Sequence, residues 1–273
     1  MISTQELVDV ALRLGEMDSL PADSAVYVEG EGLTRILFGI DIGAAELMLA
    51  RDLGCDGVIA HHPAGGSAAL HFPEVLARQL EFMLAHGVPE ELAREALQPM
   101  ITRATMRAHS ANHDHVPSVA RALSMPFMNM HLPLDELGRR MMAIAINEHV
   151  SALNREPLVQ DALDALSTLP EFANAVTTIM VPVGAVDNPL GQIAIVHGAG
   201  TNGGAAIARA YFQSGVQTVL YIHCGGDDVM RMREENEGNQ IVTGHISSDM
   251  LGINPYVAEI EQRGVEVVRI SGL

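Results

Sequence analysis

The 273 residues suffice for one large domain or two smaller ones sharing an interface, and 48% hydrophobic against 18% charged residues excludes an extensively disordered chain. With 16 Lys+Arg against 34 Asp+Glu the formal charge is −18, and no Lys/Arg-rich stripe reverses it locally, so a nucleic-acid partner is disfavoured. Two cysteines, Cys55 and Cys224, beside 12 histidines exclude both a disulfide scaffold and a zinc–thiolate cluster, which leaves nitrogen and oxygen ligands for any metal chemistry.

The opening stretch MISTQELVDVALRLGEM carries acids and lacks a basic flank and an uninterrupted apolar run, and no later segment reaches the roughly 18 apolar residues of a membrane span. A cytoplasmic location and no membrane partner are therefore expected. Trp is absent and aromatic residues make up 4%, too few for base-stacking platforms.

In chain order, Ser3 to Gly15 predicts an amphipathic helix with Leu7, Val8, Ala11 and Leu14 on one face and Ser3 as its N-cap ahead of Glu6. A strand from Leu33 reaches Asp41, Ala44 to Leu53 is helical, Gly54 ends that helix, and GVIA forms a second strand entering His61-His62. Pro99 to Pro126, polar and rich in histidine, reads as a solvent-facing loop followed by a short helix. Arg139–Asn147 and Pro157–Leu166 predict helices, with Pro170, Pro182 and Pro189 punctuating the approach to a second strand–helix–strand unit. There QIAIV leads to His197, Gly203 to Ser214 is helical, Gly215 terminates it, and QTVLYI enters His223.

The fold class is therefore α/β, and the two units repeat one another faintly. Ala44-Ala45, Gly54, Val58, His62 and Gly65 recur at Ala205-Ala206, Gly215, Val219, His223 and Gly226 with one constant offset of 161. A second pair, MHLPLDELG at 130–138 and GHISSDMLG at 244–252, shares H-x-x-x-D-x-L-G. We accordingly divide the chain into a first half (1–150), a connecting region (151–190) and a second half (191–273).

His61 and His62 end an apolar strand before Pro63, where a parallel sheet commonly places its ligands. Neighbouring side chains on an extended strand point apart, so this pair would serve two metals instead of chelating one. In His131-x-x-x-Asp135 and His245-x-x-x-Asp249 the two groups share a face if a helix starts at the histidine. Either motif alone also suits a helix cap or a hydrogen-bonded core histidine, but the ordered set favours metal. Imidazole with carboxylate suits Zn, Fe, Mn, Ni or Co and disfavours calcium. The turn GAGTNGG at 198–204 follows a strand and could bind an anion, yet it departs from the G-x-G-x-x-G dinucleotide fingerprint and reads equally as a tight turn.

These motifs resemble those of the NIF3-like family, also described as type 2 homologues of GTP cyclohydrolase I. HHP at His61–Pro63 looks like its first metal motif, HLPLD at His131–Asp135 resembles H-T-N-x-D, and GHISSD at Gly244–Asp249 resembles its terminal G-H-x-x-[ST]-E; the likeness covers nearly the whole chain. The resemblance implies two pseudo-symmetric α/β halves with mixed sheets and a metal site between them. Its implied ligands are His61, His62, His131, Asp135, His245 and Asp249 around two divalent ions, in a homohexamer. Three departures matter: Asp249 stands where the family usually has Glu, AGG after HHP suggests a roomier or more mobile pocket wall, and HCGGDD replaces T-G-[DE]-x-x-x-H.

The function expected is a metal-dependent hydrolase of a small molecule, of nucleotide or cyclohydrolase type. Asp135 or Asp249 would bridge the ions and His223 or His197 would shuttle a proton. The rival is a non-catalytic metal-binding, trafficking or regulatory oligomer.

Overall fold

The structure, a computed structural model, describes residues 1–273. The first elements are α1 (Thr4–Gly15), β1 (Ala25–Val28), β2 (Arg35–Gly39), α2 (Ala44–Asp52), β3 (Gly57–Ala60), α3 (Gly66–Leu70) and α4 (Phe72–Val75). They continue through α5 (Ala77–Ala85), α6 (Glu90–Ser110), α7 (His115–Leu123), β4 (Phe127–Asn129), α8 (Leu132–Ser151), α9 (Val159–Leu166) and α10 (Pro170–Ala173). The remainder are β5 (Met180–Val183), β6 (Ile193–Val196), α11 (Gly204–Gln213), β7 (Thr218–Tyr221), α12 (Gly226–Glu235), β8 (Asn239–Val242), α13 (His245–Gln262) and β9 (Glu266–Ile270). No helix is long and apolar enough to cross a membrane.

The chain forms two compact units: residues 1–75, 103–137 and 250–273 make the first, residues 76–102 and 138–249 the second. These bounds differ from the linear division at 150 and 190. The reason is strand pairing: β9, at the end of the chain, lies parallel to β2 with Leu37 opposite Val268, and β5, inside the stretch read as a connection, is a strand of the second sheet. Such long-range pairing has no local sequence signal.

The first unit's sheet has the order β1-β4-β3-β2-β9, parallel throughout except for β1 against β4. Continuous apolar runs such as Ile36-Leu37-Phe38 and Val58-Ile59 are buried, as strands covered on both faces require. Leu7, Val8 and Ala11 of α1 pack with Phe38, Met128 and Tyr256 on one face, and Leu47, Ala50, Val58, Ala120 and Phe127 form the other core. Helix α1 carries the expected reciprocal cap between Ser3 and Glu6. Gly252 lets α13 lie directly on the start of α8, since a Cβ there would overlap the Leu134 carbonyl.

The second unit's sheet has the order β5-β8-β7-β6, with β5 antiparallel to β8 and the other pairs parallel. Its core gathers Ala194, Val196, Ile207, Ala208, Tyr211, Val219, Tyr221 and Met232, together with Met83, Val88 and Leu97.

The loop expected after Pro99 is instead helix. α6 runs through Pro99 to Ser110 and α7 follows at His115. An exposed helix loses one backbone hydrogen bond at an internal proline, and the surrounding Ala, Leu, Met, Arg and Glu residues are strong helix formers that outweigh it.

Candidate metal centre

In the first unit, β3 delivers His61 and His62. Their backbone N–H groups donate to consecutive carbonyls, Gly39 at 2.9 Å and Ile40 at 3.0 Å, so the chain leaves the alternating geometry of a strand where Pro63 follows. The expectation that the two rings point apart is thereby corrected. Their centroids lie 5.2 Å apart, and one ligand nitrogen from each of His61, His62 and His131 lies within 4.8 Å of the others.

β4 delivers His131 in the same way. The N–H of Met130 donates to Ala60 O (2.9 Å) and that of His131 to Ser24 Oγ (3.0 Å), after which α8 begins. Leu134 and Asp135 both donate their N–H to the His131 carbonyl, so Asp135 sits one turn above it on the same face, as the spacing predicts. Asp135 Oδ1 is 3.1 Å from His61 Nε2 and its Oδ2 is 3.5 Å from His131 Nε2.

The three rings share one polarity. His61 Nδ1 lies 3.0 Å from the Met130 carbonyl, His62 Nδ1 2.8 Å from Asp41 Oδ1, and His131 Nδ1 2.6 Å from Asp23 Oδ2. A carbonyl or carboxylate oxygen only accepts, so each Nδ1 donates, and in the neutral ring each Nε2 carries the lone pair. For His61 that lone pair faces a carboxylate oxygen at 3.1 Å. Two acceptors at that separation repel unless a cation, a proton or a metal ion, sits with them. The donor chemistry and the oxygen partners behind the imidazoles thus fit a divalent metal of the Zn, Fe, Mn, Ni or Co group.

Asn129 ties this arrangement together. Its amide donates to the Asp23 carbonyl at 2.8 Å and to the His61 carbonyl at 3.4 Å, while its Oδ1 accepts from Tyr27 Oη at 2.6 Å. Tyr27 Oη in turn accepts from the Ala64 N–H at 3.1 Å, and burial pushes its phenol well up, keeping it a neutral donor. The AGG segment is packed tightly on its backbone side. Gly66 N–H donates to His113 O at 2.7 Å, and a Cβ on Gly65, whose φ is +154°, would lie 2.4 Å from that carbonyl.

In the second unit, His197, His223 and His245 follow β6, β7 and β8, the three parallel strands. His197 and Asp249 are buried; His245 Nε2 is 3.4 Å from Asp249 Oδ2, and the His223 and His245 rings are 4.6 Å apart. Burial pushes the Cys224 thiol up, which disfavours a thiolate ligand there.

The GAGTNGG turn is a closed βα turn. Asn202 Oδ1 accepts from Gly204 N (3.1 Å), Asp228 Oδ1 accepts from Ala205 N (3.2 Å), and Arg78 and Gln79 hold the carbonyls of Gly198 and Thr201. A carboxylate already occupies the start of α11, so the anion-binding reading is not supported.

The sequence marks Asp41 only as a strand end and gives no local sign of Asp23, Asn129 and Asn202 as partners of the histidines. Only the offset of 161, which also relates Asp41 to Asn202, carried a signal for any of them.

A crystal structure of a NIF3 superfamily protein from Sphaerobacter thermophilus is 67% identical with a TM-score of 0.98, covering 100% of this chain and 99% of that one. TTHA1606 from Thermus thermophilus (15% identity, TM-score 0.54, 99% and 98% covered) shares the fold alone. So does reduced HcgD from Methanocaldococcus jannaschii (11%, 0.54, 98% and 97%). No protein-family model and no curated protein matches the chain.

Proposed function

The chain belongs to the NIF3 superfamily, and we propose that it is a metal-dependent hydrolase holding two divalent ions with His61, His62, His131, Asp135, His245 and Asp249. The observation that carries this reading is the common polarity of His61, His62 and His131, each giving Nδ1 to an oxygen acceptor. Divalent ions bound there would supply Lewis-acid polarisation of a carbonyl or phosphoryl oxygen and a water activated near neutral pH.

The chain's own residues hold and orient. Asp23 and Asp41 keep His131 and His62 in the ligating tautomer, and the two oxygens of Asp135, each facing a different imidazole, suit it to a bridging role. Asp249 reaches one methylene less far than the Glu usual at its position, so it depends on the placement of the first turn of α13. His197 and His223, at the ends of β6 and β7, are the candidates for moving a proton. The substrate is proposed to be a small molecule of nucleotide or cyclohydrolase type, and the assembly a cytoplasmic homohexamer of two pseudo-symmetric halves per chain.

The test is metal content after purification without chelator, for the wild type, His62→Ala and Asp135→Ala. About two ions per chain, reduced by either substitution, are expected. Less than one ion per chain, unchanged in both variants, refutes the centre. Hydrolysis of GTP, cyclic phosphodiesters and phosphate esters then separates the roles: metal binding without turnover favours a metal-binding or trafficking protein.

A further inference from the structure

We propose that the exposed end of helix α6 in one copy, Met106 with Arg103 and Arg107 beside it, seats in the groove between α8 and α9 of a second copy of this chain. The inference deepens the homo-oligomer part of the proposed function, on which it rests, and names the surfaces that meet.

The groove lies within the second unit and has a volume of about 500 Å³. Met141, Ile144 and Ala145 of α8 form one wall, and Ala165 and Leu169, at the end of α9, form the other. Met141, Ile144, Ala145 and Glu148 follow the i, i+3, i+4, i+7 spacing of one helix face, so α8 carries a second apolar stripe besides the one that buries Met142 and Ile146. Ile144 on that stripe is 55% exposed. One end of the groove is acidic. Glu148 lines it with no ion-pair partner in the chain, and Asp164 has an oxygen within 4.8 Å of a His149 ring nitrogen. Asp161, next to them, is already neutralised by Arg155 at 2.6 and 2.7 Å.

Charge selects the occupant. The chain has a formal charge of −18, yet Ala96 to His113 holds Arg103 and Arg107 and no carboxylate. Both arginines are exposed, and neither is ion-paired within the chain. They lie one turn apart on α6, and Met106, 58% exposed, shares a face with Arg103. Isolated exposed apolar side chains are ordinary on a protein surface, but here an apolar knob flanked by cations and an apolar groove ending in anions occur on one chain. A methionine seated in the groove takes its thioether and the face of Ile144 out of water, while the arginines meet the carboxylates at the polar end. Met and Arg are enriched where protein surfaces meet, and an apolar anchor in a pocket with charges around it is the usual energetic centre of such a contact. Two chains of charge −18 repel on average, and a carboxylate-free stretch with two unpaired arginines relieves that repulsion at one place.

The experiment is sedimentation velocity on the full-length chain over a range of concentrations, with the melting temperature as the check that each variant folds. Ile144→Glu and Met106→Glu, both at exposed positions, are each expected to weaken self-association about tenfold or more and to melt close to the wild type. Reversing both arginines (Arg103→Glu with Arg107→Glu) or both acids (Glu148→Arg with Asp164→Arg) should also weaken it about tenfold or more. Combining the two reversals in one chain should restore association to within about threefold, as charges that meet across the contact require. An associating wild type that these variants leave unchanged overturns the inference and leaves the oligomer reading standing, and so does a combined reversal that recovers nothing. A monomeric wild type overturns both. If that monomer takes up dodecylamine, a small apolar cation, in calorimetry and Glu148→Arg weakens the uptake, the groove is a small-molecule site, which likewise overturns the inference. Metal content of the same samples reports on the hydrolase reading separately.

Discussion

At the strand ends of the first unit three imidazoles lean on oxygen acceptors, whereas at the corresponding end of β7 His223 leans on an amide that donates. The two sheets have the same strand order from their antiparallel edge inward, β1-β4-β3-β2 and β5-β8-β7-β6, so the scaffold does not account for the difference. The group behind each ring does. Whether an acceptor or a donor meets Nδ1 fixes which ring nitrogen carries the hydrogen in the neutral imidazole. A family motif that names the histidine alone cannot distinguish the two.

The largest effect is expected where the first unit loses its central carboxylate. Asp135→Ala removes the group facing both His61 and His131, and metal affinity measured by chelator competition should fall about 100-fold or more, beyond the usual effect of outer partners. Asp23→Ala leaves every proposed ligand in place but frees the His131 ring, with an expected loss of about 10- to 100-fold. Asp41→Asn sharpens the contrast, because it gives His62 the partner that His223 has. A loss of about tenfold is expected, and unchanged affinity would show that the partner's polarity does not matter.

Smaller effects concern stability. Gly65→Ala places a Cβ against the His113 carbonyl at positive φ, and urea unfolding should show a loss of about 2 kcal/mol. Tyr27→Phe removes the hydroxyl shared by Asn129 and Ala64 and should cost about 1 kcal/mol by the same measurement.

The smallest effect lies in the second unit, at a carboxylate that is not a proposed ligand. The Arg155 guanidinium and the Leu158 N–H hold the Asp161 carboxyl down at about 2. A depressed folded-state value means this contribution is full above the ordinary carboxylate range and is lost as pH falls from about 4 through about 2. Thermal melts of wild type and Arg155→Leu should therefore differ modestly at neutral pH and converge near pH 2. A constant gap across that window would count against the pair.

Much of this architecture is legible in the sequence because it depends on short-range pattern. The Ser3–Glu6 cap, the buried runs of β2, β3, β6 and β7, the glycine stops at 54 and 215, and the one-turn spacing of His131 and Asp135 are all set within a few residues. The stretch after Pro99 is not legible as helix because a weakly amphipathic exposed helix leaves little periodic signal. The glycines after HHP admit the His113 carbonyl from a distant turn, a role that no local pattern marks.

Residue type and local spacing suffice to mark an α/β chain with candidate nitrogen and oxygen ligands in a fixed order. The direction of each imidazole depends instead on contacts made in the folded chain. Asp23 lies 108 residues from His131, and Asn129 lies 68 from His61, so no local pattern links them. Hydrogen bonds across that distance exist only once the sheet has paired, and it is they that assign the protons and hence the chemistry. The composition offers 12 histidines; the folded chain sets the tautomers of His61, His62 and His131 by what stands behind each ring.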